Sequence, residues 1–140
     1  MKSLVNYQEI GKAYNRIYNY AIKTPLLSSD LLNKELSSNI FIKAENLQKI
    51  GAFKFRGAMN SILKLDNDQK NVLAWSSGNH AQAIASACYL TNKKATIVMP
   101  EDSPKAKLNG TKSWGANIVT FDRYSESREE IGTNLAKKIN

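Results

Sequence analysis

The sequence has few of the residues on which several classes of protein depend. It contains one cysteine among 140 residues, so no disulfide can form within the chain. It contains one histidine and three prolines, and its seven glycines include no adjacent pair. No apolar run approaches the ~18 residues that a membrane span needs. We therefore expect neither a disulfide-stabilised domain nor contact with a membrane.

The positive charge of the chain is not concentrated in one segment. Twenty Lys and Arg against twelve Asp and Glu give a net charge of +8. Adjacent basic pairs occur only at Lys93-Lys94 and Lys137-Lys138, and no basic run is interleaved with aromatic residues. We therefore expect a solvated basic surface and no nucleic-acid partner. Lys2 is followed by no apolar segment of a signal peptide, so we expect a cytoplasmic location.

A lysine between two phenylalanines is the centre of the first motif, Gly51-Ala52-Phe53-Lys54-Phe55-Arg56-Gly57-Ala58. Apolar residues recur three and four positions apart from Phe55 to Ile62, which predicts a helix over 53–65. Lys54 would then lie near a helix N-terminus in apolar surroundings. The helix dipole and partial burial both disfavour an ammonium group there, so Lys54 is a candidate amine nucleophile for a Schiff base.

The second motif is Ser76-Ser77-Gly78-Asn79-His80-Ala81-Gln82. It follows the apolar run 72–75 and precedes an apolar stripe at helical spacing that ends at Cys88, so it predicts a strand, a tight turn and a helix. Cys88 is expected to be a small core residue. Backbone N–H groups at the start of such a helix bind anions. An imine-forming lysine beside a loop that holds a carboxylate indicates chemistry on amino acids.

Helices and strands alternate regularly in the second half of the chain. We predict strands at 72–76, 95–99 and 117–121 and helices at 79–90, 104–114 and 126–139, an order that favours a parallel sheet with right-handed crossovers. The expected helix boundaries are Ser103 as an N-cap before Pro104, Gly115 as a C-terminal stop, and Ser127 with Glu130 as a capping box.

The first half predicts fewer elements. An amphipathic helix is expected from Tyr7 to Lys23, with a stripe of tyrosines that packs against the rest of the protein. A proline at position 25 ends it. A short helix capped by 28–30 and ending at Leu36, and a strand at 40–42, precede the lysine motif.

Together with Lys43-Ala44-Glu45-Asn46-Leu47-Gln48, the two motifs resemble the serine/threonine dehydratase and serine racemase family. These are fold-type II pyridoxal-phosphate enzymes, and the resemblance runs from about Tyr7 to Ile139. It implies an α/β fold like that of the tryptophan synthase β subunit, with three layers around a parallel sheet. Residues 1–70 would belong to the large cofactor-binding lobe, and residues 71–140 would form the small, Rossmann-like lobe with element order βαβαβα.

The same resemblance implies roles at the cofactor. Lys54 matches the lysine that forms the internal aldimine with pyridoxal 5'-phosphate and then removes the α-proton. Phe53 matches a residue beside the cofactor ring, and Asn79 matches the amide that binds the ring hydroxyl. In this family a run of glycines holds the cofactor phosphate, and this chain has no such run. We therefore expect the chain to be an incomplete, N-terminal piece of a protein about twice as long.

Further roles concern the substrate. Ser76, Ser77, Asn79 and His80 match the loop that takes the substrate carboxylate, and Ser77 also matches the second acid/base of racemases. Arg128 matches an arginine near the same carboxylate, although an ion pair with a neighbouring residue such as Glu129 is an equal alternative. No metal ligand is assigned in this chain, and a divalent cation would be bound by residues beyond it.

The implied reaction is β-elimination, in which L-threonine or L-serine gives a 2-oxo acid and ammonia. Many threonine dehydratases have serine at the position of Ala52, so serine racemase and threo-3-hydroxyaspartate dehydratase are alternatives. A hypothesis of another class is a non-catalytic truncated fragment, favoured by the missing glycine run. The full-length protein is expected to be a homo-oligomer, either a dimer or a tetramer.

Overall fold

The computed structural model describes residues 6–139, and for Ile139 only the backbone, so Lys2 lies outside the described residues. The first half of the chain contains three helices and a two-stranded antiparallel ribbon. These elements are α1 (Tyr7–Ile17), β1 (Leu26–Leu27), α2 (Asp30–Glu35), β2 (Ile42–Lys43) and α3 (Lys54–Ile62). Two short 3₁₀ turns, Glu45–Leu47 and Lys49–Gly51, lead from β2 into α3.

The second half has the predicted alternation of strands and helices. Its elements are β3 (Asn71–Trp75), α4 (Asn79–Leu90), β4 (Lys94–Pro100), α5 (Lys105–Lys112), β5 (Asn117–Phe121) and α6 (Arg128–Ile139). The strands form a parallel sheet in the order β3-β4-β5, with Leu73 paired to Thr96 and Ile97 paired to Ile118. The predicted parallel sheet is confirmed, and the predicted bounds of α4 and β5 are those of the structure.

The two faces of the sheet are covered by different helices. Val72 and Ala74 of β3 belong to the hydrophobic core that α4 fills with small residues. Because side chains alternate along a strand, Trp75 points to the other face, where its ring lies against Gly132 of α6. Helix, sheet and helix thus form three layers, as the family resemblance implies.

Helix α3 packs on α4 and completes the core. The predicted apolar face of α3 is confirmed, because Phe55, Met59 and Ile62 are buried together with Ala58. Cys88 is also buried, and burial raises the pKa of its thiol to about 11. Its side chain is therefore a protonated core residue, as the sequence predicted.

Three expectations about the N-terminal segment are wrong. Helix α1 ends at Ile17, not at Lys23. The buried Gln48 amide occupies both backbone groups of Ile22, so this residue cannot continue the helix: Nε2 donates to its carbonyl (2.8 Å) and Oε1 accepts from its N–H (3.0 Å). The tyrosine stripe, expected to pack, is exposed in the described residues, and only Ile17 of α1 is buried. The strand expected at 40–42 is Ile42–Lys43.

Two of the three predicted boundary residues of the second half are found, although α5 is Lys105–Lys112 and not 104–114, and α6 begins at Arg128 and not at 126. Gly115, with φ +75°, donates its N–H to the Lys112 carbonyl at the end of α5, and Ser127 Oγ accepts from the Glu130 N–H before α6. Ser103 is not the cap of α5, because Pro104 takes the position directly before the helix. The Ser103 N–H donates to the Pro100 carbonyl, and its buried Oγ has no partner among the described residues.

Candidate active site

A tight turn positions the lysine of the first motif. Ile50 has φ 61° and Gly51 has φ 68°, and the Gly51 N–H donates to the Gln48 carbonyl at 2.8 Å. Glycine adopts this conformation freely, whereas in a β-branched residue it costs about 1–2 kcal/mol. The turn reverses the chain within three residues. It thereby places Lys54 at the first position of α3, where the sequence predicted a helix N-terminus.

The Lys54 side chain is exposed, so the expectation of partial burial is wrong for the described residues. Its Nζ lies 5.4 Å from the centroid of the Phe53 ring, which is itself 61% exposed. Both side chains therefore border an open cleft, and the ring face attracts the ammonium group.

A half-buried ion-pair network fixes the start of α3. Arg56 binds Glu45 through two parallel bonds, Nε to Oε2 at 2.9 Å and Nη2 to Oε1 at 2.7 Å. Thr24 Oγ1 also donates to Glu45 Oε1 (2.6 Å), and Arg56 Nη2 reaches the Ile22 carbonyl (3.0 Å). The hydrogen bonds from Arg56 are the main reason that the pKa of Glu45 lies below its usual value. Hydrogen bonds thus join the segment 22–24, Glu45 and the first turn of α3 at Arg56, two residues from Lys54.

Lys54 and the second motif meet in one cleft between α3 and α4. The cleft has a volume of about 270 Å³ and is lined by residues from both helices: Phe53, Lys54, Gly57, Ala58, Ser61, His80 and Ile84. Partial burial, and secondly the positive charge of Lys54, lower the pKa of His80 below its ordinary value of 6.5. The His80 imidazole is therefore neutral at pH 7. Its expected role as a backbone donor to the substrate stays a prediction.

The start of α4 has the open N–H groups of an anion site. Gly78 precedes the helix and supplies no capping side chain. Ser76 Oγ accepts from the Gly78 N–H at 3.2 Å, while the N–H groups of Asn79 and His80 find no acceptor within the described part of the chain. The exposed hydroxyl of Ser77 lies in the same turn. These donors suit a carboxylate.

Asn79 has a partner that sequence reasoning missed. Its Oδ1 accepts a hydrogen bond from Nζ of Lys107 on α5. Lys107 lies outside both motifs and is one of 20 basic residues, so nothing in the sequence distinguished it. Only the packing of α5 against α4 identifies it.

Arg128 begins α6, and its Nε donates to Glu129 Oε1 at 2.7 Å. This is the ion pair considered as the alternative for this residue. The N-terminus of α6 follows β5 as the N-terminus of α4 follows β3, so both lie at the carboxyl edge of the sheet. The role of Arg128 toward a substrate stays a prediction.

Residues 6–139 contain neither a metal-binding cluster nor a membrane-spanning helix. No three His, Cys, Asp or Glu side chains in this range are grouped so that they could hold a metal ion. None of its helices combines the length and apolar character required to cross a membrane.

A three-layer α/β domain, with a lysine facing a serine-glycine-asparagine turn at the carboxyl edge of a parallel sheet, defines a class of cofactor-dependent enzyme domain. A family model described as "Pyridoxal-phosphate dependent enzyme" matches residues 17–140. The chain belongs to this family, whose members use pyridoxal phosphate.

Proteins similar to this chain are lyases and racemases. L-threo-3-hydroxyaspartate ammonia-lyase of Saccharomyces cerevisiae is 52% identical over 93% of this chain and 40% of its own length. Serine racemase of Schizosaccharomyces pombe is 43% identical over 96% of the chain and 42% of its own length. The solved structure of maize serine racemase superposes with a TM-score of 0.91 at 39% identity, covering 96% of this chain and 41% of that one. The chain thus spans about 40% of the length of the curated relatives it matches.

Proposed function

We propose that the protein to which this chain belongs is a pyridoxal-phosphate-dependent ammonia-lyase that removes ammonia from a 3-hydroxy amino acid. The observation that carries this proposal is the shared cleft, which Lys54 and His80 line from opposite sides. An amine that can bind an aldehyde therefore lies next to N–H groups that can bind a carboxylate. The Lys54 amine and the polar groups at the start of α4 fit the aldehyde and ring of pyridoxal phosphate. The chain offers no run of glycines for the phosphate.

Each residue of the site has a distinct task in this proposal. Pyridoxal phosphate, when bound, supplies the electron sink for bond cleavage at the substrate Cα. Lys54 would hold the aldehyde carbon before the substrate arrives, and its Nζ would then take the α-proton. Phe53 would pack beside the ring, and the Asn79 amide would donate to the ring hydroxyl. The loop Ser76, Ser77, Asn79 and His80 binds the substrate carboxylate, partly through N–H groups, with Arg128 approaching from α6.

The proposed substrates are L-threo-3-hydroxyaspartate, L-serine and L-threonine. Hydroxyaspartate is favoured because two similar proteins, 52% and 47% identical, carry its name, and because Ala52 stands where many threonine dehydratases have serine. L-threonine was the first expectation from the motifs and stays a proposal. In each case loss of the β-hydroxyl gives an enamine that hydrolyses to a 2-oxo acid and ammonia.

Serine racemisation is the second candidate. The exposed hydroxyl of Ser77, in the turn before α4, is compatible with it because such a group could return a proton on the face opposite Lys54. Dehydratases carry this serine too, so its presence does not decide between the two reactions. Similar proteins from several organisms are serine racemases. A divalent cation bound outside this chain, a homo-oligomer and a cytoplasmic location remain predictions about the whole protein.

Product analysis separates the two reactions. The purified protein with pyridoxal phosphate is given each amino acid labelled with deuterium at Cα. An ammonia-lyase releases ammonia and a 2-oxo acid from the preferred substrate, and a racemase yields the D-isomer with deuterium lost and the hydroxyl retained. Lys54→Ala should abolish both reactions, and Lys49→Ala, which removes a lysine that also lies near a phenylalanine ring, should preserve them. Turnover by Lys54→Ala at the wild-type rate would refute the proposal.

A further inference from the structure

The hydrogen bond between Lys107 and Asn79 fixes one end of an amide. Asn79 is the first residue of α4, and Lys107 lies in the first turn of α5. A lysine ammonium has only donors, so it selects the carbonyl oxygen of Asn79 and not the NH₂ group. With Oδ1 held by Lys107 Nζ, the two Nδ2 protons must point away from α5. The orientation of this amide is thus set by a residue 28 positions away in the sequence.

The contact follows from unusually close packing between the two helices. Gly110 and Gln82 lie one turn beyond Lys107 and Asn79, on the same helix faces. A Cβ at Gly110 would lie 2.3 Å from Nε2 of Gln82, so a larger residue there would force the end of the Gln82 side chain to move. Thr111 is fully buried, and its Oγ1 donates to the Lys107 carbonyl at 2.8 Å. The backbone that carries Lys107 is therefore held in place.

The position of Lys107 is locally unfavourable. A cation in the first turn of a helix opposes the helix dipole, and α5 has no acidic residue in this turn. Helix stability alone therefore does not explain a lysine here. The hydrogen bond to Asn79 gives the side chain a role that its own helix does not.

We propose that Lys107 is a positioning residue, which turns the Asn79 amide so that Nδ2 is presented to the ring oxygen of pyridoxal phosphate. This inference rests on the proposed function, since it assigns Asn79 to that oxygen. Lys107 itself does not touch the reacting atoms. Without it, the amide rotates between two orientations of similar energy, and only one of them offers a donor to the cofactor.

A double-mutant cycle in cofactor affinity tests the proposal. Pyridoxal phosphate is titrated into the wild type, Lys107→Met, Asn79→Ala and the double variant, with tryptophan fluorescence and visible absorption as readouts. Loss of one hydrogen bond, about 1 kcal/mol, corresponds to a roughly 5-fold weaker affinity for Lys107→Met. Lys107→Arg, which keeps a cationic donor, should stay within about 2-fold of the wild type. In the Asn79→Ala background the Met substitution should have almost no further effect.

The cycle also identifies the results that would overturn the proposal. If Lys107→Met weakens binding equally with and without Asn79, Lys107 acts through its charge and not through the amide. If Lys107→Met binds like the wild type, Lys107 has no role at the cofactor. If the wild type itself does not bind pyridoxal phosphate, the proposed function and this inference both fail.

A measurement without cofactor distinguishes a failure of the inference about Lys107 from a failure of the proposed function. In ¹H–¹⁵N spectra of the unliganded protein, Lys107→Met should move the Asn79 side-chain NH₂ signals and leave the backbone signals of α4 and α5 in place. Unmoved NH₂ signals would overturn the inference whatever the cofactor does. Shifted signals in a protein that does not bind pyridoxal phosphate would refute the proposed function while the contact itself stands. Thermal unfolding of each variant confirms that it is folded.

Discussion

The space around a single Cα distinguishes two glycines that lie in helices. Gly132 of α6 is buried against Trp75, and a Cβ there would lie 2.9 Å from Cζ3 of the indole. Gly11 of α1 has no atom within 4 Å of the same position. The first glycine is required by packing, whereas the second only weakens its helix.

Alanine substitution should therefore change the free energy of unfolding in opposite directions at Gly132 and Gly11. Gly132→Ala should lower the free energy of unfolding by about 1–3 kcal/mol, because the indole must move, despite the better helix propensity of alanine. Gly11→Ala, the matched control, should leave it unchanged or raise it by up to ~1 kcal/mol. Denaturant unfolding of the three proteins measures this difference. Equal midpoints for both variants would show that Trp75 does not confine α6.

His80 should make stability depend on pH. Because its pKa is lowered in the folded state, the unfolded chain binds a proton more tightly, and stability falls as pH decreases below about 6.5. The full contribution of His80 to the free energy of unfolding is present above about pH 6.5. Unfolding midpoints at about pH 7.5 and pH 5.5 should differ more for the wild type than for His80→Gln, which has no titrating ring. An identical difference in both proteins would contradict the lowered pKa.

At the residue scale, sequence reasoning located Lys54 but not its surroundings. The motif placed it at a helix N-terminus, which depends on neighbours in the chain. Its exposure depends on which groups cover the cleft, and these are not adjacent in sequence. The contact from Lys107 was unpredictable for the same reason, since it requires the packing of two helices.

Among the elements, α3 depends most on one polar contact. Arg56 and Glu45 have side chains only 28% and 18% exposed, whereas the pair Arg123 and Asp102 is 43% and 52% exposed. Breaking a shielded, doubly bonded pair leaves a charge without its partner, and breaking an exposed pair returns both groups to water. The two pairs therefore offer a matched comparison.

Glu45→Gln should destabilise the protein by about 1–3 kcal/mol at pH 7, and Asp102→Asn by less than ~1 kcal/mol. The Glu45 pKa is depressed, so its contribution is present above the ordinary value of 4.5 and is lost as pH falls through the lowered folded value. The difference in the free energy of unfolding between the wild type and Glu45→Gln should therefore become smaller at acid pH. Denaturant titrations at pH 7 and about pH 3.5 test this, and a constant gap would show that the pair does not titrate as described.

Sequence patterns predicted elements well where local signals agreed. Helix α4 combines an apolar stripe with a turn motif directly before it, and its predicted bounds are correct. Helix α1 has an equally good stripe, yet it ends six residues before the predicted Lys23, and the Gln48 side chain takes both backbone groups of Ile22 in the segment that follows. The Ser103 cap failed because Pro104, with φ −53° and ψ 131°, takes the position directly before α5. A long-range hydrogen bond such as that between Gln48 and Ile22 leaves no periodic signal in the sequence.

For the whole molecule, the unevenly distributed apolar surface is the main structural feature. Of the sixteen large hydrophobic side chains that are exposed in the described residues, thirteen lie between Tyr7 and Phe53. Such a surface marks a contact with other polypeptide. Because the matched relatives are more than twice as long as this chain, we expect further polypeptide to cover it.

The 140 residues prepared alone should therefore self-associate and bind a hydrophobic dye. Replacing Leu31 and Phe41, which are 76% and 65% exposed, by lysine should reduce both effects without lowering the unfolding midpoint. Tyr124→Lys, at a position that is 87% exposed and outside this surface, is the control and should have little influence. Light scattering and dye fluorescence provide the measurement. A monomeric wild type that binds no dye would contradict the expectation.

The central claim is that Lys54 is the amine that holds pyridoxal phosphate. The most direct test is borohydride reduction of the protein with pyridoxal phosphate, followed by peptide mass analysis, with Lys54→Ala and Lys49→Ala as a matched pair. We predict a phosphopyridoxyl group on Lys54 in the wild type and in Lys49→Ala, and none in Lys54→Ala. Label spread over many lysines, or retained in Lys54→Ala at the wild-type level, would contradict the claim.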